Sequence, residues 1–436
     1  MTAGGIIFTA PKSGSGKTVI TAALLRHLRD RGIDVAAAKC GPDYIDPTFH
    51  ALASGRPCVN LDPWAMRPAT LSGLVHDLGR SAGLVVCEGV MGLFDGAGPD
   101  GEAGSTAELA QLTGWPVVLV IDASGQGASV AALIAGFARH DAQVSLAGVI
   151  LNRVASPRHA AVLSAAIARH TPEIPVLGAI PSEEDVVLTS RHLGLVPAAE
   201  VTDIDGLLDR SATRVAKCCD VGRLLALAQA SRCKTSLGSP GLSPIGQRIA
   251  VARDDAFLFT YEATLAGWRR QGAEISFFSP LADEPPAANA DAVYLPGGYP
   301  ELHAAKLSAA SCFLDGLRDG DRTIYGECGG YMVLGEMLID ANGTAYRMAG
   351  LLPLKTSFAE RRRHLGYRAA RLRAPGPLGA KDARFRGHEF HYATIIEEHG
   401  DPLFVVADAS GNDLGHAGLR AGNIFGSFVH LIDRED

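Results

Sequence analysis

Residues 10–18, with the sequence Ala-Pro-Lys-Ser-Gly-Ser-Gly-Lys-Thr, have the residue types of a phosphate-binding loop. They follow an apolar run at 5–10 and precede a helix-forming stretch at 19–28, and this order of strand, loop and helix is the context in which such a loop binds nucleotides. Backbone N–H groups of the loop are expected to bind phosphates, a lysine to reach the outer phosphates and a threonine to ligate Mg²⁺. A plain Gly/Ser-rich turn is the alternative. The residues that we assign to these tasks are Gly14, Ser15, Gly16, Lys17 and Thr18.

A second reactive group stands in the C-terminal half. The spacing Gly-x-Cys-x-Gly at 326–330, after a predicted strand and before a helical stretch, matches a nucleophile elbow with Cys328 as the nucleophile. The glycines permit the strained turn, and we expect the helix N-terminus to lower the pKa of the thiol. A buried structural cysteine is the alternative. His430, at the end of an apolar stretch, is our choice of base, and the N–H groups of Gly297 and Gly298 are predicted to form an oxyanion hole.

The elements that must position the first site are short apolar runs that alternate with helical stretches. This alternation predicts a parallel sheet with right-handed crossovers. In an open parallel sheet, ligands bind beyond the carboxyl ends of the strands, so polar residues at those ends are expected to converge on one crevice. The runs lie at 5–10, 35–40, 84–88, 117–122, 147–152 and 176–180, and polar residues that end them are Lys39, Glu88, Asp122 and Asn152.

Acidic residues near these strand ends suggest a place for a metal ion and a substrate. We predict that Lys39, Asp43 and Asp46 contact phosphate or substrate, with Asp46 also near Mg²⁺; a turn in which the aspartates cap backbone N–H groups is the alternative. Glu88 directly follows an apolar run, where a carboxylate is costly to bury without a cation, so it is predicted to serve the metal rather than to cap a helix. Asp122 is placed equally well to support the site or to cap the next helix.

The composition bounds the class of protein. At 436 residues the chain is long enough for two domains, or three at most, and 47% hydrophobic residues can bury sizeable cores. The net charge of −7 argues against nucleic acid or an anionic membrane as a partner. The first residues lack the basic region of a signal peptide, and the apolar runs are too short to span a bilayer. Eight cysteines without a C-x-x-C pair indicate a reduced, cytoplasmic protein without a structural zinc site.

The expected fold class is α/β with two domains, each a mostly parallel sheet flanked by helices. We predict a nucleotide-binding synthetase domain at 1–197, a helical segment and linker at 198–246, and a second domain at 247–436. The strand rhythm weakens in the middle segment, where a helical stretch at 223–230 leads into a Gly/Ser/Pro-rich stretch at 235–244.

Three stretches, 12–18, 39–47 and 88–96, resemble the cobyrinic acid a,c-diamide synthase family, whose synthetase domain is similar to dethiobiotin synthetase. The resemblance is carried by Gly-Pro-Asp-Tyr at 41–44 and Glu-Gly-Val-Met-Gly at 88–92. The C-terminal half resembles the class I, triad-type glutamine amidotransferases, in which Cys and His hydrolyse glutamine through a thioester. Together these likenesses cover nearly the whole chain apart from the linker.

The resemblance adds residues to the first site. Pro11 stands where the standard loop has its first glycine, and Lys12 follows it, so the loop resembles the variant with a second, early lysine used by dethiobiotin synthetase and the partition ATPases. The resemblance implies that Lys12 joins the ATP site and that Asn152 faces the adenine. It also implies that four residues lie at the reacting carboxylate and the metal, namely Asp43, Tyr44, Asp46 and Glu88.

The second site departs from the class I pattern, which has an acidic residue two positions after the histidine. Ile432 occupies that position here, and the spacing of Asp433 does not fit. The cobyrinic acid branch lacks this third member, so what orients His430 is left open. His388 and His391 flank Glu-Phe without the H-E-x-x-H metal spacing, and we assign that segment to contact with substrate or between domains.

The expected function is ATP-dependent, glutamine-hydrolysing amidation. A carboxylate is a poor electrophile and free ammonia is scarce, so ATP with Mg²⁺ would activate the carboxylate as an acyl phosphate while glutamine supplies ammonia. The resemblance implies that the substrate is a corrinoid polycarboxylate, hydrogenobyrinic or cobyrinic acid, amidated at its a and c acetates. The Ala/Arg/Gly-rich composition favours hydrogenobyrinic acid slightly. A homodimer is one option that the sequence leaves open.

Two other functions remain as alternatives. An adenosylcobyric acid synthase has the same two-domain plan but different motifs at the loop and after the second strand. A partition-type ATPase switch is suggested by Lys12, although such a protein needs neither Cys328 nor His430.

Overall fold

The computed structural model describes residues 3–182, 190–191, 194–195, 198–233 and 241–435. The chain divides into two compact units. Unit 1 comprises 1–64 and 68–239, and unit 2 comprises Ala65–Arg67 and residues from 240 onward. No helix in the described ranges is both long and apolar enough to cross a membrane.

Unit 1 contains the predicted parallel sheet and a separate two-stranded sheet. Its strands are β1 (Gly4–Thr9), β2 (Val35–Cys40), β3 (Val59–Leu61), β4 (Leu84–Glu88), β5 (Val117–Asp122), β6 (Leu146–Val154), β7 (Val176–Pro181), β8 (Ser190–Arg191), β9 (Gly194–Leu195) and β10 (Gln229–Ala230). Its helices are α1 (Lys17–Asp30), α2 (Asp46–Ser54), α3 (Pro68–Ser81), α4 (Thr106–Thr113), α5 (Val130–His140), α6 (Pro157–His170), α7 (Ile204–Cys218) and α8 (Val221–Leu227), with a 3-10 turn at Ala198–Glu200.

The sheet of unit 1 has the strand order β3-β2-β4-β1-β5-β6-β7, and all of these pairings are parallel. Because both faces of a parallel sheet are covered by helices, its strands read as continuous apolar runs, as β5 shows with five consecutive buried residues. The phosphate-binding loop leaves β1 between β4 and β5. The sheet order therefore brings the ends of β2 and β4 beside the loop.

The segment after residue 197, predicted to be a helix and a linker, contains two helices and a short strand. Helix α7 packs on α1, where Arg26 pairs with Asp205 and Asp209 at 2.8 and 2.7 Å. The predicted helix at 223–230 ends at Leu227 in the structure, and β10 then pairs antiparallel with β1. The Gly/Ser/Pro-rich stretch at 235–244 lies mostly outside the described residues. Its role as a linker stays a prediction.

Unit 2 contains a ten-stranded, mixed sheet and a separate four-stranded sheet. Its strands are β11 (Arg248–Ala252), β12 (Glu274–Phe278), β13 (Ala292–Leu295), β14 (Thr323–Glu327), β15 (Met337–Ile339), β16 (Ala345–Arg347), β17 (Leu354–Ser357), β18 (His364–Leu372), β19 (Arg384–His391), β20 (Thr394–Glu398), β21 (Asp401–Ala407), β22 (Asp413–Ala421), β23 (Ile424–Ser427) and β24 (Val429–Arg434). Its helices are α9 (Glu262–Arg270), α10 (Ala304–Ala309), α11 (Ser311–Arg318) and α12 (Gly329–Leu334), with 3-10 turns at Pro280–Ala282 and Pro300–Leu302.

The main sheet of unit 2 has the order β12-β11-β13-β14-β23-β22-β21-β18-β19-β24. The pairings from β12 to β23 are parallel, and those from β23 onward are antiparallel. The two-domain α/β layout is thus confirmed, whereas the expectation of a mostly parallel sheet holds for unit 1 and is wrong for unit 2, in which five of the nine pairings are antiparallel. The elbow follows β14 in the parallel half, whereas His430 lies on β24, directly opposite His388 of β19.

Candidate active sites

The phosphate-binding loop has the backbone that its glycines were expected to provide. Gly14 and Gly16 have φ angles of 79° and 95°, in the left-handed region that favours glycine. A side chain at residue 16 is also excluded by space, because an ideal Cβ there would lie 2.3 Å from Asn152 Nδ2. That amide donates a hydrogen bond to the carbonyl of Ser15 at 2.9 Å. Asn152, predicted to face adenine, therefore lies against the loop backbone, with a second N–H and an amide oxygen for other partners.

Lys17 is the buried cation of this loop. Its Nζ donates to the carbonyl oxygen of Met91 at 2.5 Å, and the side chain is almost fully covered. Burial lowers the pKa of Lys17, and the nearby carboxylate of Glu88 opposes that shift. Met91 itself has a φ of 42°, a rare backbone conformation for a residue with a side chain. Lys12, in contrast, is exposed on the loop.

Glu88 lies at the centre of a buried polar network at the end of β4. Its Oε1 accepts from the hydroxyl of Thr18 at 2.7 Å, and its Oε2 lies 2.5 Å from His50 Nε2. Burial by itself raises the pKa of Glu88, but Lys39 and His50 reverse the shift and hold the pKa below its usual range. The carboxylate is therefore ionised at neutral pH. His50 was not predicted, although its position four residues after Asp46 puts both on one face of α2.

Lys39 joins the two acidic groups of the crevice. Its Nζ lies 2.7 Å from Asp46 Oδ2 and 3.3 Å from Glu88 Oε1, and it also donates to the Gly89 carbonyl at 3.1 Å. Burial lowers the pKa of Lys39, but the three carboxylates around it outweigh that effect and raise it. Burial and the neighbouring Asp43 raise the pKa of Asp46, and Lys39 opposes them.

Asp43 caps backbone N–H groups in a turn, which is the alternative that the sequence left open for it. Its Oδ1 accepts from the backbone N–H groups of Ile45 and Asp46 at 2.7 and 2.8 Å, at the start of α2. Tyr44 lies in the same turn and is half-buried. Asp122 neither caps α5 nor reaches the network, because it accepts from Ser124 and forms an ion pair with Arg153.

The donor set at Thr18 and Glu88 fits a magnesium ion. Both side chains offer oxygen atoms, which lie 2.7 Å apart, and Mg²⁺ is held in proteins by one or two such oxygens together with water and phosphate oxygens. Asp46, the third predicted ligand, is already paired with Lys39. Among the described residues, the one group of three or more His, Cys, Asp and Glu side chains close enough to share a metal lies elsewhere, at His364, Glu389 and His391.

That histidine and glutamate group is a satisfied polar network. Glu389 accepts from Arg368 Nε at 2.6 Å and lies 2.8 Å from His391 Nε2. The other ring nitrogen of His391 faces the carbonyl of Ala393 at 3.0 Å, and its ring stacks on Phe428 at 3.8 Å between centroids. The guanidinium beside the carboxylate opposes a metal ion there. The predicted strand around His388 and His391 is β19.

Cys328 occupies the strained turn that a nucleophile elbow requires. It has φ 47° and ψ −104°, and it is the last residue before α12. The expectation of a lowered thiol pKa is wrong for this structure. Burial raises the pKa of Cys328, Glu301 adds to that rise, and the hydrogen bond from the Gly329 N–H opposes it without reversing it. The N-terminus of a six-residue helix is too weak to outweigh burial of the thiol at 2% exposure.

Gly297 and Gly298 lie beside the elbow, as predicted for an oxyanion hole. An ideal Cβ on Gly297 would lie 2.4 Å from His430 Cε1 and 3.3 Å from the Cβ of Cys328, so this glycine lies between the two reactive residues. An ideal Cβ on Gly329 would lie 3.0 Å from the backbone nitrogen of Gly298. The structure thus brings together all four residues predicted for this site.

A carboxylate that sequence reasoning missed lies next to His430. Glu327 Oε2 is 3.7 Å from His430 Nδ1, and both side chains are buried. Asp433, whose spacing did not fit, instead binds Arg67 of the same unit at 2.9 Å. The signal for Glu327 was a charged residue at the end of a mostly apolar strand, directly before the nucleophile.

Comparison with known proteins finds a matching family for the part of the chain that holds each site. Residues 248–436 match the family described as "CobB/CobQ-like glutamine amidotransferase domain", and residues 6–195 match "CobQ/CobB/MinD/ParA nucleotide binding domain". The protein of Rhizobium meliloti named hydrogenobyrinate a,c-diamide synthase is 52% identical, covering 98% of this chain and 99% of that protein. Proteins of the same name from Brucella suis and Rhodobacter capsulatus are 52% and 50% identical, each over 98% of both chains.

Proposed function

The chain belongs to the family of the hydrogenobyrinate a,c-diamide synthases, and on that premise we propose that it amidates the a and c acetates of hydrogenobyrinic acid. It is a glutamine-hydrolysing, amide-forming ligase of cobalamin biosynthesis that uses ATP. The observation that carries this proposal is the Cys328 elbow with His430 across Gly297, because a phosphate-binding loop alone occurs in many ATPases.

In unit 1 the residues of the loop would hold the nucleotide. The N–H groups around Gly14, Ser15 and Gly16 would bind phosphates, with Asn152 at the adenine and Lys12 reinforcing the positive charge. Lys17 would leave the Met91 carbonyl for the outer phosphates, a stronger, charged acceptor.

Thr18 and Glu88 would hold Mg²⁺, with Asp46 nearby. When bound there, the ion would neutralise charge on the transferring phosphate. Lys39, Asp43 and Tyr44 are proposed to border the corrinoid acetate. The acetate oxygen would then attack the γ-phosphorus, ADP would leave, and ammonia would displace phosphate from the acyl phosphate.

In unit 2 the chemistry is the release of ammonia from glutamine. The Cys328 thiol gives its proton to His430, and the sulfur attacks the side-chain amide carbon. The N–H groups of Gly297 and Gly298 would stabilise the oxyanion. The C–N bond breaks, His430 returns the proton to the leaving ammonia, and water hydrolyses the thioester to glutamate.

We also propose that the enzyme works in the cytoplasm, which supplies ATP and glutamine and keeps thiols reduced. All eight cysteines are free, and most of them are buried. Such a cysteine set needs no oxidising compartment.

Isotope transfer and mass spectrometry test the proposed function. Hydrogenobyrinic acid carrying heavy oxygen in its acetates is incubated with the enzyme, ATP, Mg²⁺ and glutamine. We expect two amides per corrinoid and one heavy oxygen in each phosphate released. Four amides would favour the adenosylcobyric acid synthase alternative, and amides without labelled phosphate would contradict the acyl phosphate route.

A further inference from the structure

Glu327 is a buried carboxylate for which the reaction described above has no task. It ends β14, directly before Cys328, and is 2% exposed. A carboxylate in such a position is costly unless several donors satisfy it. Since successive side chains of a strand alternate between faces, Glu327 and Tyr325 share one face of the sheet while the nucleophile follows on the turn.

Three donors fix the position of this carboxylate. The hydroxyl of Tyr294 donates to Oε2 at 2.7 Å, the hydroxyl of Tyr325 donates to Oε1 at 2.6 Å, and the backbone N–H of Leu431 donates to Oε1 at 3.0 Å. Burial, with the charge of Glu327, raises the pKa of both tyrosines, so their hydroxyl groups stay protonated and remain donors. The Leu431 contact ties the carboxylate to the residue next to His430. The position of the carboxylate is therefore fixed before any substrate arrives.

The fixed carboxylate faces one nitrogen of the histidine ring. Glu327 Oε2 lies 3.7 Å from His430 Nδ1, and the Cα of Gly297 covers the Cε1 corner of the same ring. The Cys328 thiol lies 3.7 Å from the carbonyl oxygen of Phe390, so its proton must leave that contact to reach the ring. With Nδ1 on the side of Glu327, Nε2 is the nitrogen that would take this proton. This proton transfer creates an imidazolium in a buried place, where a fixed negative charge is worth far more than in water.

Two other acidic residues of this unit, Asp433 and Glu389, are held by partners of their own. Asp433 accepts from both the backbone N–H and the guanidinium of Arg67. Glu389 pairs with Arg368 and His391.

We propose that Glu327 is the positioning residue of the glutaminase, which holds His430 by its Nδ1 side and stabilises the imidazolium formed when Cys328 loses its proton. It takes the part that an acidic residue two positions after the histidine has in the class I pattern, a position held here by Ile432. In this role the carboxylate neither gives nor takes a proton. This inference rests on the proposed function, and it identifies Glu327 as the residue that orients His430.

The test replaces the charge and keeps the shape, with the substitution Glu327→Gln in the full chain. We expect kcat for glutamine hydrolysis to fall by about 10²–10⁴-fold, the scale seen when a triad carboxylate becomes an amide, with KM for glutamine within about twofold. Ammonia-dependent amidation should stay within about twofold, since it needs only unit 1. Tyr294→Phe, which keeps the charge in the same buried place, is the matched control and should lose less than about tenfold.

The pH profile separates positioning from a structural role. Losing a negative charge makes protonation of His430 less favourable, so the acid limb of glutaminase kcat should move to lower pH in Glu327→Gln. Among the described residues, Cys328 and His388 also lie close to His430, and both are unchanged in this variant. If Glu327→Gln does not fold, the double variant Tyr294→Phe, Tyr325→Phe, which keeps the charge and removes both hydroxyl donors, must lower kcat more than Tyr294→Phe alone at constant KM; no further loss would overturn the proposal.

A kcat within threefold of the unsubstituted enzyme, an unmoved acid limb, or equal loss of glutamine- and ammonia-dependent activity would overturn the proposal. Absence of both glutaminase and amidation in the unsubstituted protein would instead overturn the proposed function. The two failures are therefore distinguishable in one series of assays.

Discussion

The two reactive turns of this chain share a backbone plan and differ in charge. Each follows the carboxyl end of an interior strand, β1 in unit 1 and β14 in unit 2. At each site a glycine lies against a functional side chain, Gly16 against Asn152 and Gly297 against His430. Around the first turn, the buried Lys39 already pairs with the buried Glu88 and the half-buried Asp46. Around the second, the reactive group is a neutral thiol whose pKa burial raises, with one fixed carboxylate behind its base.

This difference follows from when the charge appears. A nucleotide arrives charged, so unit 1 holds Lys17 and Lys39 in place with counter-charges that keep them stable before binding. In unit 2 charge arises only during proton transfer from Cys328, so the site holds Glu327 ready for a cation not yet formed. Substitutions in unit 1 should therefore abolish amidation from any nitrogen source, and substitutions in unit 2 only amidation from glutamine.

Within unit 1 the largest effect is expected for Lys17→Ala. Removing the cation that reaches the outer phosphates should lower kcat for amidation by about 10²–10³-fold with either glutamine or ammonia. Glutamine hydrolysis should retain its kcat if the two sites act separately. Lys217→Ala, an exposed lysine of the same unit, is the control and should stay within twofold. Loss of amidation from glutamine alone would break the comparison.

The matching change in unit 2 is Gly297→Ala. Its Cβ would lie 2.4 Å from His430 Cε1, and such crowding must displace the ring. A displacement of about 1 Å costs about 10²-fold in rate, so we expect that loss in glutamine hydrolysis with ammonia-dependent amidation preserved. Steady-state assays with both nitrogen sources measure it. Normal glutaminase activity in this variant would contradict the placement of His430.

A smaller effect is expected for Gly16→Ala. The new Cβ would lie 2.3 Å from Asn152 Nδ2 at a φ of 95°, so both space and backbone oppose it. We expect KM for ATP to rise about tenfold, as one or two kcal/mol of strain predicts. Adding Asn152→Ala removes the crowding but not the strain, and should restore part of the affinity. Additive losses in the double variant would show that the two residues do not interact.

The smallest effect concerns acid stability. Burial and the neighbouring His430 lower the pKa of His388 from 6.5 to about 3, so between these values the unfolded chain binds a proton that the folded chain does not. Stability should therefore fall as the pH drops through this window, by up to about 1.4 kcal/mol per pH unit. His388→Gln should reduce this slope. Urea unfolding at pH 5 and 7 measures this dependence of stability on pH. The fluorescence of Trp268 reports unfolding when Trp64 and Trp115 are replaced by Phe. If His388→Gln left the dependence unchanged, the buried histidine would not be neutral.

Sequence periodicity and motif spacing predicted the parallel half of each sheet and the loop that follows each central strand. Lys39, Glu88 and Thr18 could be placed together because parallel strands end at one edge. The nucleophile and base could be named because the elbow has a local signature. These predictions succeed where the physical cause is local in the chain.

The parts that were missed depend on distant contacts. At Cys328, burial raises the pKa of the thiol and a helix N-terminus would lower it. Packing around the thiol decides which effect is larger, and motif spacing carries no information about that packing. His50 contacts Glu88, which lies 38 residues away in the sequence. One of the donors to Glu327 is the N–H of Leu431, which lies 104 residues away. The antiparallel half of unit 2 likewise joins β19 to β24 across a long stretch of sequence.

The division of labour between the two units is tested most directly by Cys328→Ala, assayed for corrinoid amidation with glutamine and with ammonia. Removing the nucleophile should abolish glutamine-dependent amidation and leave ammonia-dependent amidation within about twofold, because unit 1 is untouched. Loss of both activities in a folded variant, or glutamine-dependent activity that survives, would contradict the account.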